Sequence, residues 1–165
     1  MNAATSQISI LDRREIEAQI TGPLIKAFIE EFGQEKALSV VRSVIGKLAR
    51  QSGMDLAKAL GGNTIADLAR GLTAWAKGDA YEMEVIALSE TEYVYNITRC
   101  RYAERYKEIG LADLGVILSC GRDFELISGF NPKMTLTRTK TIMEGCDCCD
   151  FRISLAGGKP WRNLN

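Results

Sequence analysis

Five cysteines and no histidine define the chemistry available to this 165-residue chain. Serine triads, Cys-His dyads and His-ligated zinc all need imidazole, so they are excluded within one chain. Catalysis must therefore come from Cys, Asp, Glu, Lys, Arg, Tyr or a bound cofactor. We expect no cofactor.

Three of the cysteines lie together in the stretch EGCDCCDFRI, residues 144–153. If this stretch is extended, Cys149 shares one face with Phe151, while Cys146 and Cys148 lie on the other. A zinc site usually needs four ligands from paired knuckles, and no second knuckle is present. We predict no metal site, and two readings of Cys149 stay open: a buried small hydrophobe or a reactive thiol.

Cys100 is the second candidate for a reactive thiol. It stands where a strand pattern meets a helical one, with Arg99 and Arg101 on either side. A helix N-terminus and flanking cations both favour the thiolate. Glu104, one turn further on, could activate water, or it could simply be a solvated surface residue. Cys120 ends an apolar run and is interpreted mainly as core.

Composition gives few indications of other partners. The chain is 46% hydrophobic and 25% charged, and its 21 basic residues balance 21 acidic ones. No charge excess steers it toward nucleic acid or an anionic membrane, and no apolar run approaches the ~20 residues of a membrane span. We therefore expect a cytoplasmic protein with reduced thiols rather than a disulfide framework.

The elements that position these residues change type half-way along the chain. Residues 10–77 carry apolar side chains at helical spacing, and we expect these stripes to pack into the core. Asp12 and Glu15 have the spacing of a capping pair, and Gly22-Pro23 should kink or restart the first helix. Gly53 should weaken the second helix, which Gly61 ends.

Alternation replaces helical spacing after residue 79. Residues 81–88 and 91–99 predict an antiparallel hairpin, followed by short helical segments. Residues 133–143 predict a long Thr-rich strand, and residues 148–155 a last strand. The sequence thus predicts an α+β fold, in which N-terminal helices pack on a small antiparallel sheet with short helices inserted between strands. We expect one domain over residues 1–165, with flexible ends at 1–10 and 157–165. We also expect a homodimer, the commonest form among soluble oligomers.

Several motifs after residue 100 recur together in a known family. They are Cys100 with Glu104, Gly110-Leu111 with Leu114-Gly115, Cys120 with Asp123, Gly129 to Pro132, Arg138 to Thr141, and Gly145 with Cys149 to Arg152. This part of the chain resembles the second half of the L-2-amino-thiazoline-4-carboxylic acid hydrolase family. The resemblance implies a hydrolase that opens the amidine ring of a small-molecule substrate of the 2-aminothiazoline-4-carboxylate type.

Ring opening at an amidine carbon needs a nucleophile, a proton donor and a cation for the substrate carboxylate. Either the Cys100 or Cys149 thiolate attacks directly, or Glu104 or Asp123 activates water. For substrate binding the candidates are Arg138, Arg152 and Asn131.

The order of elements also resembles the 4-vinyl-reductase-type ligand-binding domain. That resemblance implies a different class of function, a non-catalytic domain that senses a small molecule or holds zinc. Turnover and bound metal are the observations that separate the two classes.

Overall fold

The structure, a computed structural model, describes residues 8–156 and has the predicted α+β fold. The expected flexible ends fall largely on residues 1–7 and 157–165, which lie outside the described residues. The helices are α1 (Ile10–Phe32), α2 (Gln34–Leu60), α3 (Ile65–Ala76), α4 (Arg101–Glu108), α5 (Ala112–Gly115) and α6 (Arg122–Phe130). A π-helical turn, Val116–Cys120, links α5 to α6. The strands are β1 (Tyr81–Leu88), β2 (Glu92–Cys100), β3 (Met134–Thr137) and β4 (Cys149–Leu155).

The four strands form one antiparallel sheet in the order β1-β2-β4-β3. Within it, Ile97 of β2 lies opposite Cys149, and Tyr95 lies opposite Phe151. Alternate residues of a strand share a face, so these side chains point to the same side. That face packs on α2, α3 and α6 and forms the main core. The predicted hairpin, last strand and inserted short helices are all confirmed.

The first helix differs from its sequence prediction at two points. Ser9 is the N-cap and accepts the backbone N–H of Asp12 at 3.0 Å, so the cap lies one turn before the predicted Asp12 and Glu15 pair. The helix also continues unbroken through Pro23. Proline removes one helical hydrogen bond, but the neighbouring Gly22 packs so tightly on Leu111 that an added Cβ would lie 2.5 Å from its Cδ1. Tertiary packing therefore favours the continuous helix over a break.

The apolar stripes of the first two helices were expected to be core, and that prediction is wrong for Ile16, Ile20, Leu24, Phe28 and Leu48. Eight large side chains keep roughly half of their surface exposed: Ile16, Ile20, Leu24, Phe28 and Phe32 of α1, and Val40, Val44 and Leu48 of α2. Their i, i+4 spacing places each set along one side of its helix. We call this the α1–α2 face. A periodic pattern identifies the apolar side of a helix but does not show what that side packs against.

The long Thr-rich strand predicted over residues 133–143 is too long. Strand β3 ends at Thr137, and a 3-10 turn occupies Ile142–Glu144. Beyond Thr137 the side chain of Asp150 accepts the backbone N–H groups of Thr139 at 2.8 Å and Lys140 at 2.6 Å. These backbone donors are satisfied by a carboxylate, so the segment leaves the sheet.

Candidate functional site

A cavity of about 100 Å³ lies between the inner face of the sheet and helices α2, α3 and α6. Aromatic and aliphatic side chains make up most of its wall, including Trp75, Tyr81, Tyr95, Tyr102 and Phe151. The chemically active lining groups are the thiols Cys100, Cys120 and Cys149, the carboxylate Asp123 and the guanidinium groups Arg14, Arg122 and Arg138. A few polar groups in a mostly apolar concavity are typical of a small-molecule site.

Three separate elements bring the thiols to this cavity. Cys100 ends β2, Cys149 begins β4, and Cys120 ends the π-helical turn. Burial raises the pKa of the Cys149 thiol to about 11, although the Ile142 backbone N–H donates to its Sγ at 3.3 Å. Burial also raises the pKa of Cys120. Both thiols therefore stay protonated at neutral pH.

The prediction that local charge favours a Cys100 thiolate is wrong. Burial raises the pKa of Cys100 and outweighs the backbone N–H groups of Tyr102 and Ala103, which lower it. The flanking cations have other partners: Arg99 pairs with Glu104, and Arg101 donates to the Gly78 carbonyl at 2.8 Å. Cys100 is thus a third protonated thiol beside the cavity.

An ion pair joins Asp123 of α6 to Arg138, which follows β3. Nη1 of Arg138 donates to Oδ2 of Asp123, and Nη2 donates to the Cys120 carbonyl at 3.0 Å. The guanidinium carbon lies 5.1 Å from the ring centroid of Phe124 and 5.1 Å from that of Phe151. Only 5% of the Arg138 side chain is exposed, both of its terminal nitrogens donate hydrogen bonds, and two aromatic rings lie beside its guanidinium.

Asp123 is enclosed by protein yet keeps 34% of its side-chain surface accessible, and it lines the cavity. Burial raises the pKa of this carboxyl, while the Arg138 guanidinium acts in the opposite direction. Within residues 8–156 its Oδ1 accepts no hydrogen bond. One oxygen of Asp123 is therefore fixed by Arg138, and the other remains available to a ligand or to water.

Three predicted site residues do not line the cavity. Glu104 pairs with Arg99 at 2.9 Å, and 42% of its side chain is exposed. Arg152 lies on the opposite face of β4 from Cys149 and donates to the Tyr95 carbonyl at 2.9 Å. Asn131 donates to the Asn63 carbonyl at 2.9 Å and accepts from Lys133, contacts that fix the end of α6.

Asp150, which follows Cys149 in the CDFR motif, has a positioning role that the sequence reasoning missed. Besides the two backbone N–H groups, it accepts the Thr139 hydroxyl at 2.7 Å. These bonds fix the backbone directly after Arg138. The alternating pattern placed Asp150 on the outer face of the strand. The only feature of the sequence that could have indicated its role was an acidic residue near the start of β4, the strand that pairs with edge strand β3.

Sequence reasoning also missed Arg14 and Arg122 as cavity residues. Arg14 lies on α1, about 110 residues before its neighbour Arg122 at the start of α6. No local pattern connects two positions so far apart. Within the described range 8–156, no group of three or more His, Cys, Asp or Glu side chains is arranged to hold a metal ion.

The residues of the cavity wall lie within a match to a known protein family. The family model for L-2-amino-thiazoline-4-carboxylic acid hydrolase matches residues 13–153. The chain belongs to this family. The match includes every residue of the cavity wall, from Arg14 to Phe151. A search among curated proteins found no match to this member of the hydrolase family.

Two solved structures share the fold of this hydrolase-family chain. The phenol-responsive sensory domain of the transcription activator PoxR, solved with phenol, has a TM-score of 0.54 at 12% identity, covering 84% of this chain and 74% of the other. Subunit 3 of a trafficking protein particle complex from Naegleria fowleri, covalently bound to palmitic acid, has a TM-score of 0.51 at 16% identity, covering 92% and 98%. At such identities the likeness concerns the fold alone. None of the helices within residues 8–156 is both long and apolar enough to cross a membrane.

Proposed function

We propose that the protein is a hydrolase that opens a small cyclic C–N or C–S bond, in a ring of the 2-aminothiazoline-4-carboxylate type. The observation that carries the proposal is the position of Asp123. Its carboxylate is fixed by Arg138 through one oxygen and lines, with the other oxygen available, the cavity that also contains three thiols. Membership of the hydrolase family supports the reaction class.

Water is the nucleophile in this proposal. The raised pKa values of Cys100 and Cys149 disfavour attack by a thiolate at neutral pH, whereas a carboxylate with a raised pKa is suited to general-base catalysis. Asp123 accepts a proton from water as the water oxygen bonds to the amidine carbon. The electron pair of the amidine C=N bond moves to the ring nitrogen, which takes a proton from the Cys149 or Cys100 thiol. The new hydroxyl group then becomes a carbonyl as the ring C–N or C–S bond breaks, and its proton passes to the leaving atom. The proton held by Asp123 returns to that thiol, so the site is restored.

Site-directed variants test this assignment. Purified protein is incubated with 2-aminothiazoline-4-carboxylate, and the ring-opened product is measured by mass spectrometry. Asp123→Asn should lower kcat by about 100-fold or more, the usual contribution of a general base. Asp113→Asn is the matched control, since this exposed aspartate lies outside the cavity wall. Full activity of Asp123→Asn would exclude the carboxylate role, and full activity of a Cys100→Ser, Cys149→Ser double variant would exclude the thiols as proton donors.

The second candidate function is a non-catalytic small-molecule sensor. The fold shared with a phenol-responsive sensory domain favours it, together with the mostly apolar cavity wall. A sensor would bind a small cyclic compound in the cavity without converting it. Saturable binding of 2-aminothiazoline-4-carboxylate with no product formed would favour the sensor over the hydrolase.

We also propose a homodimer in the cytoplasm. The location is supported by five free cysteines, as expected in a reducing compartment. The dimer is supported by the α1–α2 face, whose eight apolar side chains are each 48–63% exposed, whereas a stable interface buries ~800 Å² per partner. Isolated α-helical faces of this size are rarely left to solvent, and a second copy presents a face of identical chemistry.

A further inference from the structure

The guanidinium of Arg122 lines the cavity without a partner. It makes no hydrogen bond or ion pair with any residue in the range 8–156. The other two cavity arginines differ in this respect. Arg14 donates to Glu17 at 2.5 Å, and Arg138 donates to Asp123.

The positive charge of Arg122 therefore has no hydrogen-bonded anion within residues 8–156. Glu17 and Asp123, the two acidic groups that act on it electrostatically, are each already hydrogen-bonded to another arginine. Burial lowers the pKa of Arg122, and the positive charge of Arg14 lowers it further. A partly buried cation without a hydrogen-bonded anion is costly, so an added anion would be bound favourably at this point.

We propose that Arg122 binds the carboxylate of a small cyclic acid in the cavity and thereby selects acids over their neutral analogues. Arg138, one of the sequence-based candidates for this role, already donates to Asp123 and to the Cys120 carbonyl. Arg122 directly precedes Asp123 on α6, and both line the cavity, so an acid bound by Arg122 lies beside the available Asp123 oxygen. The inference rests on the proposed function in one respect, since it names the ligand class of the same site.

A matched pair of ligands tests the selection without turnover. The probes are 2-aminothiazole-4-carboxylate and 2-aminothiazole, aromatic rings that resist opening and differ only in the carboxylate. Binding to the full chain is measured by calorimetry. We expect the acid to bind at least about 10-fold more tightly than the neutral ring, as a charge-assisted hydrogen bond allows.

Variants then assign the preference to one residue. Arg122→Met should weaken binding of the acid by about 10- to 100-fold and leave the neutral ring within about twofold, because only the charged contact is lost. Arg122→Lys should keep part of the preference, since it keeps the charge but not the planar fork. Arg42→Met, an exposed arginine of α2, is the matched control and should behave as the unmodified chain does.

Three results would overturn the inference: no binding of the acid at millimolar concentration, equal binding of acid and neutral ring, or an unchanged preference in folded Arg122→Met. If that variant does not fold by circular dichroism, an unchanged preference in Arg122→Gln overturns it instead. Turnover of 2-aminothiazoline-4-carboxylate is measured separately. A preference that depends on Arg122 in a chain without turnover would refute the hydrolase and leave the acid-binding role of Arg122 intact.

Discussion

Arg138 and Asp123 form an ion pair through only one of the two carboxylate oxygens. The guanidinium donates to one carboxylate oxygen, and its central carbon lies 5.1 Å from the ring centroids of both Phe124 and Phe151. The carboxylate keeps its second oxygen without a hydrogen bond within residues 8–156. Because Asp123 is on α6 and Arg138 follows β3, the pair also joins two elements of the cavity wall.

Removing the arginine should destabilise the fold. Arg138→Met leaves Asp123 enclosed without its cation, and we expect a loss of about 3 kcal/mol in the free energy of unfolding. This is the low end of the usual range, because 34% of the Asp123 side chain is accessible. Urea unfolding measures the change. The double variant Asp123→Asn, Arg138→Met should lose less than the sum of the single changes, whereas strict additivity would show that the pair is not coupled.

Alkylation should modify the thiols in an order set by their burial. Iodoacetamide near pH 8 should modify exposed Cys146 well before buried Cys149, because alkylation requires the thiolate. Mass spectrometry of digested protein follows both sites.

The folded-state pKa of Cys149, about 11, lies above its ordinary value of 9.0. The contribution of this thiol to the free energy of unfolding is therefore complete below about pH 9 and is lost between about pH 9 and 11.

Replacing that thiol should therefore flatten the alkaline side of the stability profile. Cys149→Ala should lose less free energy of unfolding than the unmodified chain as pH rises through this window. Cys146→Ala is the control and should keep the original slope. Rapid alkylation of Cys149 near neutral pH would contradict the assignment of a protonated thiol and would favour direct thiolate attack.

Asp150 should contribute stability that disappears in acid. Burial raises its pKa, but the hydrogen bonds from Thr139 and Lys140 outweigh this, and the net pKa is lowered from 3.8. A lowered carboxyl pKa stabilises the fold above about pH 4 and ceases to do so as pH falls through the folded-state value.

The change that tests this is Asp150→Ala. It should cost about 1–2 kcal/mol at neutral pH, a modest sum for three hydrogen bonds to a largely solvated carboxylate, and the difference should shrink on acidification. Asp147→Ala, which removes an exposed neighbour paired with Lys140, is the control and should change stability little. Acid titration followed by circular dichroism measures both variants, and a difference independent of pH would contradict the linkage.

Gly53 should tolerate no side chain. A Cβ at this position of α2 would lie 2.1 Å from the Leu126 carbonyl oxygen of α6, so the helices would have to move apart. We expect Gly53→Ala to cost about 2–3 kcal/mol in urea unfolding. Gly46→Ala on the same helix would meet only the flexible Glu125 side chain at 3.3 Å, and it should be neutral or stabilising by up to about 1 kcal/mol. Equal effects of the two substitutions would show that α2 and α6 separate easily.

The α1–α2 face should hold two copies together. Phe28→Glu places a charge in the middle of that face, so a dimer measured by light scattering should become a monomer. Val85→Glu is the control because it is 48% exposed but lies on β1, away from the two helices. A monomeric unmodified chain at micromolar concentration would refute the dimer.

Element types were largely predictable because they depend on neighbours in the sequence. Helical spacing, strand alternation and glycine stops act over a few residues, so the helices, the hairpin and the last strand follow from local patterns. The long Thr-rich strand failed because Asp150, about ten residues away, takes over the backbone donors that a partner strand would have satisfied. Part of the apolar stripe of α1 and α2 was assigned to the core because periodicity cannot show whether a face meets this chain or another one.

The sequence predicted the position of site residues only in strands, where alternate side chains point to opposite faces. That rule placed Cys149 inward with Phe151 and separated it from Arg152. Nothing local distinguished Arg138, which is paired, from Arg122, which is not, since each partnership depends on residues brought together by folding. The absence of histidine and the α+β order of elements were decided by the sequence itself. The protonation of the thiols, the ion pair of Asp123 and the unpartnered charge of Arg122 were decided by tertiary structure, because burial and contact across the chain set the electrostatic free energy of each group.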